Sequence, residues 1–182
     1  REQHIYSAEK MKILLIISSS VGCYKALDLI REFQKQSIDY EIIATKNTFE
    51  FISPLLLESI SRKKVYSELF DLDMEKNIGH IQLARDNTHI VVYPATANLV
   101  SKFAQGFCDD LALTCMIAAN KPIYIAPAMN KEMWANSLIQ KNVQLLKDHG
   151  HHFIGPDDGS LACGEYGSGR LADPSEILKQ LS

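Results

Sequence analysis

Apolar residues in this chain fall into short unbroken blocks separated by amphipathic stretches. After Lys12, the block Ile13-Leu-Leu-Ile-Ile17 has no polar position, as expected for a strand covered on both faces. A small polar turn, Ser18-Ser-Ser20, leads into Val21, Tyr24, Leu27, Ile30 and Phe33, which recur at roughly helical spacing. Further strands are expected at Tyr40–Thr45, Thr88–Tyr93, Pro122–Ala126 and a short one at His152–Ile154. Helical text follows Pro94–Asn98 and runs through Ala119. Another helix carries Ile139, Val143 and Leu146 and ends at Gly150, and a last one spans Pro174–Leu181. The stretch from Ser53 to Asn77 shows no regular period, and Gly79-His80 heads an apolar-alternating segment.

Strands alternating with helices predict a three-layer doubly wound α/β domain of Rossmann or flavodoxin-like type, with a mostly parallel sheet. Ligands of such sheets bind beyond the carboxyl ends of the strands. That rule selects Ser18–Ser20, Thr45–Thr48, Pro94–Asn98 and Pro127–Asn130, all rich in Ser, Thr, Asn or Pro. Hydroxyls, amides and helix N-terminal N–H groups gathered at one edge make a cradle for an anion. Taken singly, Ser18, Ser20, Thr48 and Asn98 read equally well as helix N-caps. No GxGxxG fingerprint or P-loop lysine is present, so a mononucleotide such as FMN is favoured over NAD or ATP.

Length and composition narrow the partners. At 182 residues, one core is expected, over residues 11–182. Residues 1–10 are polar, lack a signal-peptide core, and read as an added or disordered lead. A net charge of -3 argues against a nucleic-acid binder, and no apolar run is long enough to span a bilayer. The four cysteines, Cys23, Cys108, Cys115 and Cys163, show no paired spacing, which points to a reducing, cytoplasmic setting. The first three lie in helical text and read as packing. His149, His151 and His152 read as a solvated helix stop and Asp109-Asp110 as an N-cap, so no metal is expected.

Three segments carry candidate chemistry. His80 follows a glycine and is either a structural cap or a proton-handling group. Asn130 lies in Pro127-Ala-Met-Asn-Lys-Glu-Met133-Trp134, just past a strand, where its amide can orient a carboxylate or serve as a turn residue. The run Leu161-Ala-Cys163-Gly164-Glu165-Tyr166-Gly167-Ser168-Gly169-Arg170 reads as a mobile glycine loop bearing a thiol and an anion-binding cation. The bland reading is a surface loop with an incidental cysteine.

Together these segments resemble the homo-oligomeric flavin-containing cysteine decarboxylases. Pro94–Asn98 is similar to their PASANT motif, Pro127–Trp134 fits PxMNxxMW, and Ala162–Arg170 is similar to the ACGxxGxGR clamp of the phosphopantothenoylcysteine branch. Ser19, often glycine in relatives, and Leu99, in place of the last PASANT threonine, depart from the pattern. The resemblance implies FMN held by Ser19, Ser20, Val21, Thr45, Thr48, Thr96, Ala97, Asn98, Asp109 and Ala128. It implies a substrate, phosphopantothenoylcysteine, contacted by Asn130, Met133, Ala162, Gly164 and Arg170. His80 would assist oxidative decarboxylation, and Cys163 would protonate the resulting enethiol. A homotrimer, or an assembly of trimers, with the site between subunits is also implied. Within the same fold, a peptidyl-cysteine decarboxylase, a flavin prenyltransferase and a non-catalytic FMN-binding regulator are the alternatives.

Overall fold

The computed structural model describes residues 10–69 and 79–182. The first apolar block forms β1 (Lys12–Ile17) of a six-stranded sheet. On one side lie β2 (Asp39–Ala44) and β3 (Val65–Tyr66); on the other are β4 (His89–Ala95), β5 (Ile123–Pro127) and β6 (His152–Phe153). Every pairing is parallel, in the order β3-β2-β1-β4-β5-β6. The winding therefore reverses between β1 and β4, and the crevice at their carboxyl ends is where a ligand site belongs.

The core explains why β1 needs no polar position. Ile13, Leu15 and Ile17 face one layer, where α1 (Lys25–Lys35) supplies Ala26, Leu29, Ile30 and Phe33, and α8 (Pro174–Leu181) supplies Ile177 and Leu181. Leu14 and Ile16 face the other layer, built from α3 (His80–Arg85), α4 (Ala97–Ala104), α5 (Leu111–Ala118) and α7 (Ser137–Asp148). Alternate side chains thus enter different layers, and all five are fully buried. Tyr93 of β4 is also fully buried, and its hydroxyl donates to the carbonyl of Ala172 at 2.6 Å. That bond ties the sheet to the segment entering α8.

Several expectations are corrected. The helical text through Ala119 is two helices, α4 and α5, separated by a loop that exposes Cys108. Asp110 caps α5, accepting from Leu113 N–H at 2.7 Å. The aperiodic stretch after Ser53 contains α2 (Pro54–Ser61), which Ser53 caps, and the two-residue edge strand β3. The apolar-alternating segment headed by Gly79-His80 is a helix. The glycine run is no simple loop either: β7 (Asp157–Ser160) and β8 (Tyr166–Arg170) form an antiparallel hairpin with Cys163 in its turn. Another helix, α6 (Lys131–Ala135), follows β5.

His151 is not part of a solvated stop. It is half-buried, and its Nδ1 accepts from the Ile123 N–H at 3.1 Å, an arrangement that requires a neutral, unprotonated Nδ1. Burial holds His151 below the ordinary histidine range, and burial together with Lys121 does the same for His89. The unfolded chain therefore takes up protons first as pH falls. The stability these groups contribute is complete above about pH 6.5 and drains away as pH drops toward their folded values. The urea midpoint is expected to be lower at pH 5.5 than at pH 7.5, with a smaller difference in His151→Gln. A midpoint indifferent to pH over that interval would contradict this.

Candidate active site

The reversal between β1 and β4 is locked by hydroxyls. Ser18, only 2% exposed, donates its hydroxyl to the Pro94 carbonyl at 2.7 Å and accepts from Thr96 N–H at 3.1 Å. Thr96 accepts from Leu99 N–H at 3.2 Å, capping α4, and Ser20 accepts from Gly22 N–H at 3.1 Å. Thr48 is fully buried and donates to the Ile17 carbonyl at 3.0 Å. A hydroxyl has one proton, so in the 3.0 Å pair between Thr48 and Thr45 the donor is Thr45. Thr45 is left presenting lone pairs to the crevice, an acceptor for a ligand's hydroxyl or N–H.

These elements line a cavity of about 320 Å³, whose walls include Ser19, Thr45, Thr96, Asn98 and Asp109. Its size lies at the lower end of the range for small-molecule sites, about 300–1,000 Å³. Lys102 and Asp109 pair at 2.5 Å across its rim, and the lysine holds Asp109 below the usual carboxylate range. Leu99 is 3% exposed and anchors α4 in the core, so the departure from threonine places packing where a hydroxyl would be.

A second cavity, about 610 Å³, opens on the other side of the same serine turn and is lined by Ser20, Val21, Ala128, Asn130, Cys163 and Arg170, among others. Besides that turn, two segments distant in sequence build it. Asn130 caps α6, its Oδ1 accepting from the N–H groups of Glu132 at 2.8 Å and Met133 at 3.4 Å. That fixes the amide, so Nδ2 points to the hairpin turn, 2.9 Å from Glu165 Oε2 and 3.6 Å from Cys163 Sγ. The hairpin docks through the Met129 N–H, which donates to the Gly169 carbonyl at 3.0 Å. Gly169 has φ of +141°, and a Cβ there would sit 2.1 Å from the Met129 carbonyl oxygen. Only glycine allows this approach.

One end of the larger cavity is cationic. Lys25, whose side chain is 15% exposed, bonds Asp173 at 3.0 Å and the Leu171 carbonyl at 3.3 Å. Arg170 reaches the same carboxylate at 3.6 Å. Two cations share one anion, and Lys25 holds Asp173 below the usual carboxylate range.

The residues expected at the site separate accordingly. Ser19, Thr45, Thr96, Asn98 and Asp109 line the smaller cavity; Ser20, Val21, Ala128, Asn130, Ala162, Cys163 and Arg170 line the larger. Thr48 and Ala97 are buried and line neither, so Thr48 supports Thr45 instead of presenting its own hydroxyl to the crevice. Gly164 lies in the hairpin turn outside the cavity walls. Met133 instead lines an exposed groove with Leu138 and Leu145. His80 lines neither cavity; it begins α3, and its carbonyl accepts from the buried Cys115 thiol at 3.3 Å. Burial pushes that thiol up to about 12, so it stays a donor. Glu165 and Lys25 were missed by the sequence reading. An isolated glutamate in a glycine run and a lysine opening a helix carry no periodic signal; only the hairpin fold brings Glu165 to Asn130 and Cys163 and sets Arg170 beside Lys25 on the cavity wall.

The family model described as Flavoprotein matches residues 1–182. The chain belongs to the flavoprotein family. It is 37% identical over 170 residues to the coenzyme A biosynthesis bifunctional protein CoaBC of Haemophilus influenzae, covering 93% of this chain and 42% of that protein. It thus spans about two-fifths of the length of such bifunctional relatives. It is also 37% identical over 172 residues to the "probable phosphopantothenoylcysteine decarboxylase" of Streptococcus mutans, covering 93% and 96% of the two chains. Among solved structures, a mutant PPC decarboxylase complexed with pantothenoylaminoethenethiol superposes with a TM-score of 0.83 at 30% identity, over 94% of this chain and 96% of that one. The FMN binding protein AtHal3 gives 0.82 at 32% identity, over 94% and 95%.

Proposed function

We propose that this flavoprotein is an FMN-dependent decarboxylase of 4'-phospho-N-pantothenoylcysteine that yields 4'-phosphopantetheine for coenzyme A synthesis. The observation that carries the reading is the meeting of Asn130 and Cys163, 33 positions apart in sequence, at 3.6 Å on one cavity wall beside a hydroxyl-lined crevice. The crevice suits FMN: Ser19, Thr45, Thr96 and Asn98 offer neutral polar contacts, and Thr45 offers an acceptor. FMN, when bound, supplies a two-electron acceptor that draws electrons from the substrate thiol side and returns them after CO₂ has left, so the net reaction is redox-neutral.

The chain's own residues supply the rest. Asn130 holds the substrate carboxylate through the Nδ2–H that Glu165 does not take, adding no charge that would have to be given up when neutral CO₂ departs. The cationic end formed by Lys25 and Arg170 suits the substrate's phosphate and sets its direction in the cavity. Cys163 donates its thiol proton to carbon as the enethiol is reduced. His80 has its proton-handling role at a neighbouring subunit's site, in a homotrimer or assembly of trimers, since it lines neither cavity of its own chain.

Purified protein is expected to carry a yellow flavin spectrum, sediment as a trimer or multiple of it, and release CO₂ from phosphopantothenoylcysteine. A colourless protein unable to take up FMN would overturn the reading. A monomer that is fully active would overturn the interface assignment alone.

A further inference from the structure

Glu165 has no part in the chemistry above, yet it touches both groups that do. We propose that Glu165 is a positioning residue, a single acceptor oxygen that fixes the Asn130 amide and the Cys163 thiol relative to one another. The proposal rests on the decarboxylase reading and deepens it. Glu165 Oε2 accepts from Asn130 Nδ2 at 2.9 Å and from Cys163 Sγ at 3.6 Å, closing a triangle whose third side is the 3.6 Å between Asn130 and Cys163.

Both ends of this bridge are themselves anchored. The Asn130 Oδ1 is held by two N–H groups of α6, which leaves Nδ2 aimed at the hairpin. The Glu165 backbone is held by the turn, its carbonyl accepting from Leu161 N–H at 2.8 Å, while Gly164 N–H donates to the Leu161 carbonyl at 2.9 Å. The turn has no apolar anchor of its own, because residues 162–166 are all exposed. Its placement over the cavity therefore depends on polar contacts, and a hydrogen bond to an ionised acceptor is among the stronger ones. The consequence is a link between two chemically separate duties. The group that orients the carboxylate and the group that delivers the last proton are set by the same oxygen, so a substrate seated on Asn130 is also in register with Cys163.

The test compares Glu165→Ala, which removes the oxygen, with Glu165→Gln, which keeps an acceptor oxygen at the same reach. In holoenzyme supplied with phosphopantothenoylcysteine, Glu165→Ala is expected to raise KM and to lower the yield of reduced product per CO₂ released, slowing the full reaction by about tenfold or more. Glu165→Gln is expected to restore both. Hydrogen exchange of the peptide covering residues 160–168 is expected to quicken in Glu165→Ala and to return toward wild type in Glu165→Gln. Wild-type product yield and exchange in Glu165→Ala would overturn the proposal, as would a Glu165→Gln variant no better than the alanine one. If wild-type holoenzyme releases no CO₂, the decarboxylase reading fails, and the exchange pattern alone decides whether Glu165 positions the turn.

Discussion

Asn130→Asp is expected to lower kcat/KM for CO₂ release by about 10²- to 10³-fold, or about 3–4 kcal/mol, while leaving the fold intact. The substitution replaces the only donor atom of this side chain with an oxygen. It loses a hydrogen bond to a charged group, worth about 1.5–3 kcal/mol. It also sets a second carboxylate where Nδ2 now lies 2.9 Å from Glu165, so the substrate's carboxylate meets two anions instead of one. The helix cap survives, because aspartate accepts from the Glu132 and Met133 N–H groups as asparagine does. Steady-state kinetics and a thermal unfolding curve separate the two effects. Unimpaired substrate affinity in the variant would remove Asn130 from carboxylate recognition.

In aerated buffer, where dioxygen would take the two electrons left on the flavin, Cys163→Ser is expected to keep releasing CO₂ but to lose phosphopantetheine formation by about 10²-fold or more, the usual cost of deleting a positioned proton donor. A serine hydroxyl fills nearly the same space, so the turn between β7 and β8 and its contact with Asn130 should persist. What it lacks is acidity: an alcohol gives up its proton far less readily than a thiol. The oxidised, enethiol-type product, lacking two hydrogens relative to phosphopantetheine, should accumulate and be separable by mass spectrometry. Complete turnover by this variant would refute the assignment. The other cysteines give useful controls. Cys23 and Cys115 are buried, and burial pushes both thiols up, whereas Cys163 is exposed on the cavity wall.

Much of the fold was legible because buried parallel strands and amphipathic helices write their environment into local periodicity. The block Ile13–Ile17 reads as a two-sided strand and the spacing through Leu27, Ile30 and Phe33 as a helix, although Val21 and Tyr24, at the same spacing, lie ahead of α1 and are exposed. Short edge elements carry no such signature. The strand Val65–Tyr66 pairs through two residues, and the β7–β8 hairpin is written in Asp, Gly and Ser, so its pairing comes from backbone contacts that composition does not display. The loop that divides α4 from α5 was likewise hidden, because both helices are apolar enough to read as one.

The site divides along the same line. Sequence alone determined the doubly wound class, the polar character of the strand ends, and Asn130, Cys163 and Arg170 as chemical candidates, because residue type and adjacency to a strand are local properties. Only the tertiary structure decided which hydroxyls face the crevice. Thr48 is spent on Ile17 and takes the Thr45 proton, leaving Thr45 an acceptor toward the crevice, and Met133 lines an outer groove. It also decided that Glu165 bridges Asn130 and Cys163, and that Gly169 must lack a side chain. These depend on where a hairpin lands on a strand end more than thirty residues earlier. Such a contact is fixed by packing of the whole chain and leaves no periodic trace in the residues that make it.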